Sequence, residues 1–517
     1  MRFRRAEIIL LALLLSAVSA LAGEPAPGFV ADGAVPGQGT AGKPFRTAQA
    51  VLPEYRPDIS VTDREPKSLS LSAPAEVNPY LPVSIDVTVP TAGSVRVTVA
   101  SSVTSLRLRD PLPEYATEAG SFSFPWKALT WGDEPIPAGR AVLTCSFAGG
   151  GKEQTVSREI VIRNPSAGLV YALPERNTYC PGKQPHLRID YALANSGSMI
   201  MAVCRDDESR EKVFQLQLNA PNDKNQVFRW NGKSNMGKPM TPGPYLMAFY
   251  AKKDPDRVLT QRLTITDQWE EAPQPYLYDP YAMPADGGDE AVWDFLMSPV
   301  WVLEGGEGGV KKMVSAPNGR AEKLGSVTCA TTAVAVLDLS VPGWARIGAY
   351  RKEDGAYTEG WIRRSNLRYV RPSTGCALVL DKKSQRITAW EDGHPVGTVS
   401  VSTGSVEVGG DPTAETRAGV FLTHNRMDPF RDEDRYRYRY VMRLDGANLI
   451  HSIGSREAEG GHAMDYSDHL ASLGRKASHG CIRVSLQADE ENGGITSWWI
   501  WTHAAFGTKV YIIEGNE

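Results

Sequence analysis

A tryptophan-centred segment occurs twice in this chain. It reads FPWKALTWGDEPIPAG around Trp126 and FRWNGKSNMGKPMTPG around Trp230. Phe124 and Phe228, Trp126 and Trp230, and Gly139 and Gly243 all recur at one offset of 104 residues. Strand-like runs flank both copies: SIDVTV and VRVTVA around the first, YLMAFYA and RLTIT around the second. Alternation puts apolar side chains on one face of a strand, and that face must be buried. An all-β unit of about 100 residues meets this need by packing two antiparallel sheets face to face. The spacing predicts two tandem sandwiches, at 68–164 and 165–267. Each tryptophan is expected in a core, with the following Pro and Gly turning the chain into the next strand. The alternative is that the tryptophans bind glycan.

The second copy resembles the immunoglobulin-like module of flagellar hook-capping proteins and many secreted bacterial enzymes. That resemblance implies an Ig-like topology for both sandwiches.

The N-terminus reads MRFRRAEIILLALLLSAVSALAGEP. Arginines precede an apolar run from Ile8 to Leu15, and small residues lead to Ala20-Leu21-Ala22. This is the layout of a secretory signal peptide, expected over 1–22 with cleavage after Ala22. An uncleaved anchor is the alternative, but the run is short for a membrane span. Residues 23–67 are rich in Gly, Pro and Ala and are expected to be a linker. The chain is therefore expected outside the cytoplasm, in the periplasm or cell wall, with no transmembrane segment in its mature form. At 517 residues it exceeds one ordinary core. A net charge of -4 gives no reason to expect nucleic acid as a partner.

Export permits disulfides. The six cysteines are scattered, and Cys180 with Cys204, inside one expected sandwich, is the first candidate pair.

A Pro- and Tyr-rich connector is expected over 268–290. Residues 291–372 then carry short strands, a Gly360-Trp361-Ile362 step and the ending SNLRYV. They resemble a bacterial SH3-like domain, which implies either binding to cell-wall peptides or a spacer. The last segment, 374–517, is β-rich, with a turn at Glu391-Asp392-Gly393 and one helical stretch near 486–503. The fold class expected is thus multidomain and mainly β.

Chemistry concentrates in KASHGCIRV, from Lys476 to Val484. A thiol needs a base, because its ordinary pKa near 8.5 leaves it protonated at neutral pH. It also needs oxyanion donors, which backbone N–H groups supply. Ser478-His479-Gly480-Cys481 suits both, with Gly480 allowing a tight turn. The base must come from His424, His451, His462, His469, His479 or His503. His451 ends the strand-like run Ala447–Ile450, which would hold it rigidly, with Ser452 beside it for support. His462 and His469 lie in a polar, Gly-containing stretch. Other fates of Cys481 are an inert buried thiol, a disulfide to Cys376, or a zinc site with His462, His469 and His479. The run Arg435-Tyr436-Arg437-Tyr438-Arg439-Tyr440 predicts a strand with arginines on one face and tyrosines on the other. Those arginines are either solvated or placed to meet substrate carboxylates.

Four segments in order together resemble the L,D-transpeptidase catalytic domain. They are LDKKSQRITAWEDGHPVGTVSVSTG, the T-x-x-G-x-F at Thr416–Phe421, LIHSIG at Leu449–Gly454 and LGRKASHGCIRV at Leu473–Val484. The resemblance implies Cys481 as nucleophile and His451 as base, with Ser452, Ser478, His479, Gly480 and Arg483 in support. It implies peptidoglycan stem peptides as partners and no metal or organic cofactor. Two departures stand out. Thr416-Arg417 replaces the family's usual Thr-Pro. The stretch between His451 and Ser478 is long, which leaves room for a lid and keeps His462 open as the base. Transfer to an amine, hydrolysis by water (an L,D-carboxypeptidase) and a non-catalytic wall-binding scaffold all remain open at this point.

Overall fold

The structure is a computed structural model. It describes residues 57–65, 68–106, 108–130, 134–163, 168–222, 224–284, 287–446, 448–457, 464–487 and 494–514. The expected signal peptide and most of the expected linker lie outside the described residues. The chain divides into two compact units, one of 167–223 and 227–270, the other including 46–166 and 271–517.

The first unit is a two-sheet sandwich. Leu169–Pro174, Leu187–Leu193 and Gln226–Trp230 form one sheet. Thr178–Tyr179, Asp254–Ile265, Gly243–Ala251, Gly197–Arg205 and Lys212–Ala220 lie in that order in the other. Both sheets share a core around Trp230, which is 1% exposed. Cys180 and Cys204 are both free, against expectation. Cys180 follows Thr178–Tyr179, and two strands separate that edge from Gly197–Arg205. Three strand spacings are about 14 Å, roughly twice what a disulfide spans.

Within the other unit, residues 57–163 build a second sandwich of four and five strands. Its core holds Phe124, Trp126, Leu143 and Phe147. Val83–Val89 shows the alternation in burial that its sequence predicted. Both repeat tryptophans are core residues, so their rings are not available to glycan. Gly139 and Gly243 each open the next strand. Ser60–Asp63 pairs with Gly120–Trp126, so part of the stretch expected as linker belongs to the sheet.

Residues 298–370 form a five-stranded and a two-stranded sheet over one core containing Trp301, Val327, Ile347 and Ile362. A helix not foreseen from sequence, α1 (Gly288–Met297), precedes them. It buries Val292 and Leu296, one turn apart, and places Asp289 and Glu290 in its first turn, where the dipole favours them. The Lys509 ammonium donates to the Phe295 and Ser298 carbonyls at 2.8 and 2.6 Å and so caps its C-terminal end.

The C-terminal region is built on a nine-stranded sheet. Its strands are β1 (Cys376–Asp381), β2 (Arg386–Glu391), β3 (His394–Ser402), β4 (Gly419–Leu422), β5 (Arg426–Met427), β6 (Val441–Asp445), β7 (Asn448–Ser452), β8 (Ile482–Val484) and β9 (Lys509–Ile513). Their order is β4-β9-β1-β2-β3-β8-β7-β6-β5. The Asp392-Gly393 turn has φ of 49° and 90°, the paired positive values that match a two-residue hairpin to strand twist. One face carries the core of Val401, Ile450, Ile482 and Val484. Helix α2 (Ser497–His503) adds Ile500 to that core and is capped by the Thr496 side chain. At the β4 edge, Ala333 N–H donates to Val420 C=O and Leu422 N–H to Thr331 C=O, both at 2.8 Å. The preceding small β unit thus covers the sheet edge.

Candidate active site

The site lies on the sheet face opposite the core. β7 and β8 run parallel, with Ile450 opposite Ile482 and His451 opposite Arg483. Arg483 also lies opposite Ser402 of the antiparallel β3. Paired residues share a face, so Ser402, Arg483 and His451 stand in one row. Cys481 directly precedes β8, and its thiol is close enough to feel the Arg483 cation and to act on Tyr438, the ring that packs on His451. His451 of β7 and Cys481, just ahead of β8, are thus offset by two residues across parallel neighbouring strands.

The turn before Cys481 is fixed by close packing. Gly480 has φ +115°, and a Cβ there would meet Asn448 Oδ1 at 2.6 Å. On the other side, a Cβ on Gly404 would lie 2.6 Å from the Gly480 Cα. The Thr416 hydroxyl ties the two glycines together: it accepts from Gly404 N–H at 2.7 Å and donates to Gly480 C=O at 2.8 Å. Thr403 C=O accepts the N–H groups of Ala477 and Ser478, and the Gln385 side chain holds Thr403. The Ser478 hydroxyl donates to Cys481 C=O at 2.5 Å and accepts a long bond, 3.3 Å, from Gly480 N–H. His479 sits exposed on the turn.

His451 is 3% exposed. Its Nδ1 lies 2.7 Å from Ser452 C=O. A carbonyl only accepts, so Nδ1 carries the proton and Nε2 keeps its lone pair. Ser452 thus supports the ring through its carbonyl rather than its hydroxyl, which donates to Ile453 C=O. Tyr438 and Phe430 meet the ring edge-on, at centroid distances of 4.7 and 5.7 Å. Sequence reasoning did not single out Phe430, Gln385 or Thr403. The signal for Tyr438 was its place in the Arg-Tyr run.

Burial holds the His451 imidazole down at about 4; the Ser452 bond pulls up, and the Arg483 and His469 charges push down further. Burial pushes the Cys481 thiol up, against a backbone hydrogen bond with Leu449 and the Arg483 cation, which both pull it down. The resting pair at neutral pH is therefore thiol and neutral imidazole, not thiolate and imidazolium. Alkylation of Cys481 by iodoacetamide is expected to keep accelerating above pH 8.5, the ordinary thiol value. A rate that levels off near pH 6 would mean a preformed ion pair and would refute this assignment.

Of the other histidines, His469 borders the site, packing on Tyr438 at a centroid distance of 5.6 Å, whereas His424 and His503 are engaged with other partners. His424 Nδ1 is 3.1 Å from Glu307 Oε2, and His503 stacks on Trp499. His469 packs on Tyr436, and its Nδ1 accepts Gly454 N–H at 3.1 Å. His462 lies outside the described residues. Among the described residues no cluster of three or more His, Cys, Asp or Glu is arranged to hold a metal. Cys376 and Cys481 are both free. Cys376 is in the core under β1, on the far side of β2 and β3 from β8.

The Arg-Tyr run corrects the strand expectation. Only Arg437 and Tyr438 are strand, and φ of +66° at Arg435 and +57° at Tyr440 breaks the alternation. Arg439 pairs with Glu134 at 3.1 Å.

Residues 377–512 match the YkuD family model, the L,D-transpeptidase catalytic domain. The YkuD match covers all nine strands except the first residue of β1 and the last of β9. No curated protein matches the chain. Similar solved structures include an L,D-transpeptidase from Mycobacterium tuberculosis H37Rv, 17% identical, covering 42% of this chain and 92% of that one with a TM-score of 0.22. An L,D-transpeptidase from Mycobacterium smegmatis is 15% identical, covering 40% and 97% with a TM-score of 0.20. Dimeric latent PorU from Porphyromonas gingivalis is 13% identical over 40% of this chain, with a TM-score of 0.19. This chain spans only 20% of PorU.

Proposed function

We propose that this chain is an exported peptidoglycan L,D-transpeptidase with Cys481 as nucleophile and His451 as base. The observation that carries the reading is the pinned tautomer: Ser452 C=O holds Nδ1–H, which leaves Nε2 as the basic nitrogen of a residue on the strand beside the Cys481 turn. His451 Nε2 takes the thiol proton as Sγ attacks the carbonyl carbon at the L-centre of a diamino acid in a donor tetrapeptide stem. The oxyanion is stabilised by N–H groups of the Gly480–Cys481 turn, for which it competes with the long Gly480–Ser478 bond. The tetrahedral species collapses, the C–N bond breaks, and terminal D-alanine leaves with the proton from His451. A thioester remains. An amine of a second stem attacks it, gives its proton to His451, and the thiolate departs and is reprotonated. The chemistry needs no metal or organic cofactor.

The two sandwiches, at 68–164 and 165–267, are read as Ig-like and the 291–372 unit as SH3-like. Their part is to place the 374–517 domain on the wall, after removal of a 1–22 signal peptide.

Tetrapeptide muropeptides incubated with the protein should give cross-linked dimers by mass. Tripeptides alone would make it an L,D-carboxypeptidase. No product from the wild type would leave the scaffold reading.

A further inference from the structure

We infer that Glu134, on the first sandwich in chain order, is a positioning residue for His451. This rests on the reading of His451 as the base. Glu134 is buried, and its Oε1 lies 3.1 Å from Arg439 Nη2 and accepts from the Tyr440 hydroxyl. Arg439 in turn grips Ser452 twice through its backbone. Its N–H donates to Ser452 Oγ at 2.9 Å, and its C=O accepts Ser452 N–H at 2.8 Å. Ser452 C=O is the group that accepts Nδ1–H of His451. An ion pair to Arg439, the Arg439 chain itself and its backbone hydrogen bonds to Ser452 therefore connect the sandwich carboxylate to the residue that holds the imidazole.

The same contact is built up around this strut. Leu106 of the sandwich packs with Ile453, Tyr466 and Leu486. Ser105 Oγ donates to Met464 C=O at 3.3 Å, and Thr104 bridges to Met464. The described part of the long stretch after Ser452 is thus held down on the sandwich. The Arg439 guanidinium is only partly buried and otherwise donates to the Tyr466 hydroxyl at 3.2 Å, so loss of its carboxylate lets it turn toward water and move its backbone. Here that backbone holds the residue that sets the tautomer of the base, so a small displacement reaches the reacting atoms.

The test uses the full chain and two readouts. One is acylation of Cys481 by a carbapenem, followed by intact mass. The other is the Nδ1–H imidazole proton of His451 by NMR, which reports the hydrogen bond whether or not the protein is an enzyme. Glu134→Ala should slow acylation about 10- to 100-fold, the scale of a roughly 1 Å misplacement. It should also shift or broaden the His451 signal. Glu134→Gln, which keeps the hydrogen-bonding shape, should fall between. If Glu134→Ala fails to fold, Glu134→Gln and Arg439→Lys carry the same comparison. Folded variants with wild-type acylation and an unchanged His451 signal would overturn the inference, even with a lower melting temperature. A wild type that is not acylated would defeat the enzymatic reading, while the NMR comparison would still decide the positioning role.

Discussion

Cys481→Ala is expected to abolish acylation by a carbapenem, seen as loss of the mass increase on the intact protein. No other thiol can substitute: the other five cysteines are all buried. The partner variant, His451→Ala, should keep the nucleophile and lose the base. General-base assistance is worth about 10²–10⁴-fold, and the acylation rate should fall by that factor. Because burial keeps the thiol protonated at neutral pH, it has no standing thiolate to fall back on. His469→Ala should cost far less, since the Nδ1 of His469 accepts Gly454 N–H, which puts its proton on Nε2 and leaves no free lone pair to serve as a base. His451→Ala with full activity would reject the assignment and move attention to His462.

The candidate pair, Cys481 and His451, stood out because each partner sits in a short local pattern. Leu449-Ile450-His451 reads as a strand end, and Gly480-Cys481 as a turn into a strand. The sandwiches were legible for a similar reason, since an apolar face and a turn recur at fixed spacing. What sequence did not reveal depends on contacts between distant residues. Cys180 and Cys204 are 24 positions apart, yet two intervening strands come from later in the chain. The Arg-Tyr run alternates strictly, but Tyr440 leaves the strand to reach Glu134, 306 positions away. Tertiary satisfaction of a buried carboxylate overrode a local period. Helix α1 was obscured by its Pro- and Gly-rich flank, although Val292 and Leu296 keep helical spacing.

The departure at Thr416-Arg417 has a physical account, and it yields the second large expected effect. Thr416 is used in the site, as the clamp between Gly404 and Gly480. Arg417 points instead into a buried junction. Its guanidinium pairs with Asp445 and donates to Lys352 C=O at 3.0 Å, while Asp445 accepts from the Thr332 hydroxyl at 3.1 Å. Lys352 and Thr332 belong to the small β unit, so the arginine fastens that unit beside the sheet edge it covers. Removing one member of a buried ion pair strands the other charge and costs about 3–5 kcal/mol. Arg417→Ala and Asp445→Ala should each destabilise by that amount, measured as the shift in the denaturation midpoint. Replacing both, as Arg417→Met with Asp445→Leu, should recover most of the loss, because no charge is then left unpaired. Single variants within about 0.5 kcal/mol of wild type would show the pair to be effectively solvated. A proline cannot make this junction, having neither charge nor donor. Where the resembled family usually has a rigid turn residue, this chain carries a buried anchor one position from the threonine that shapes the Gly480–Cys481 turn.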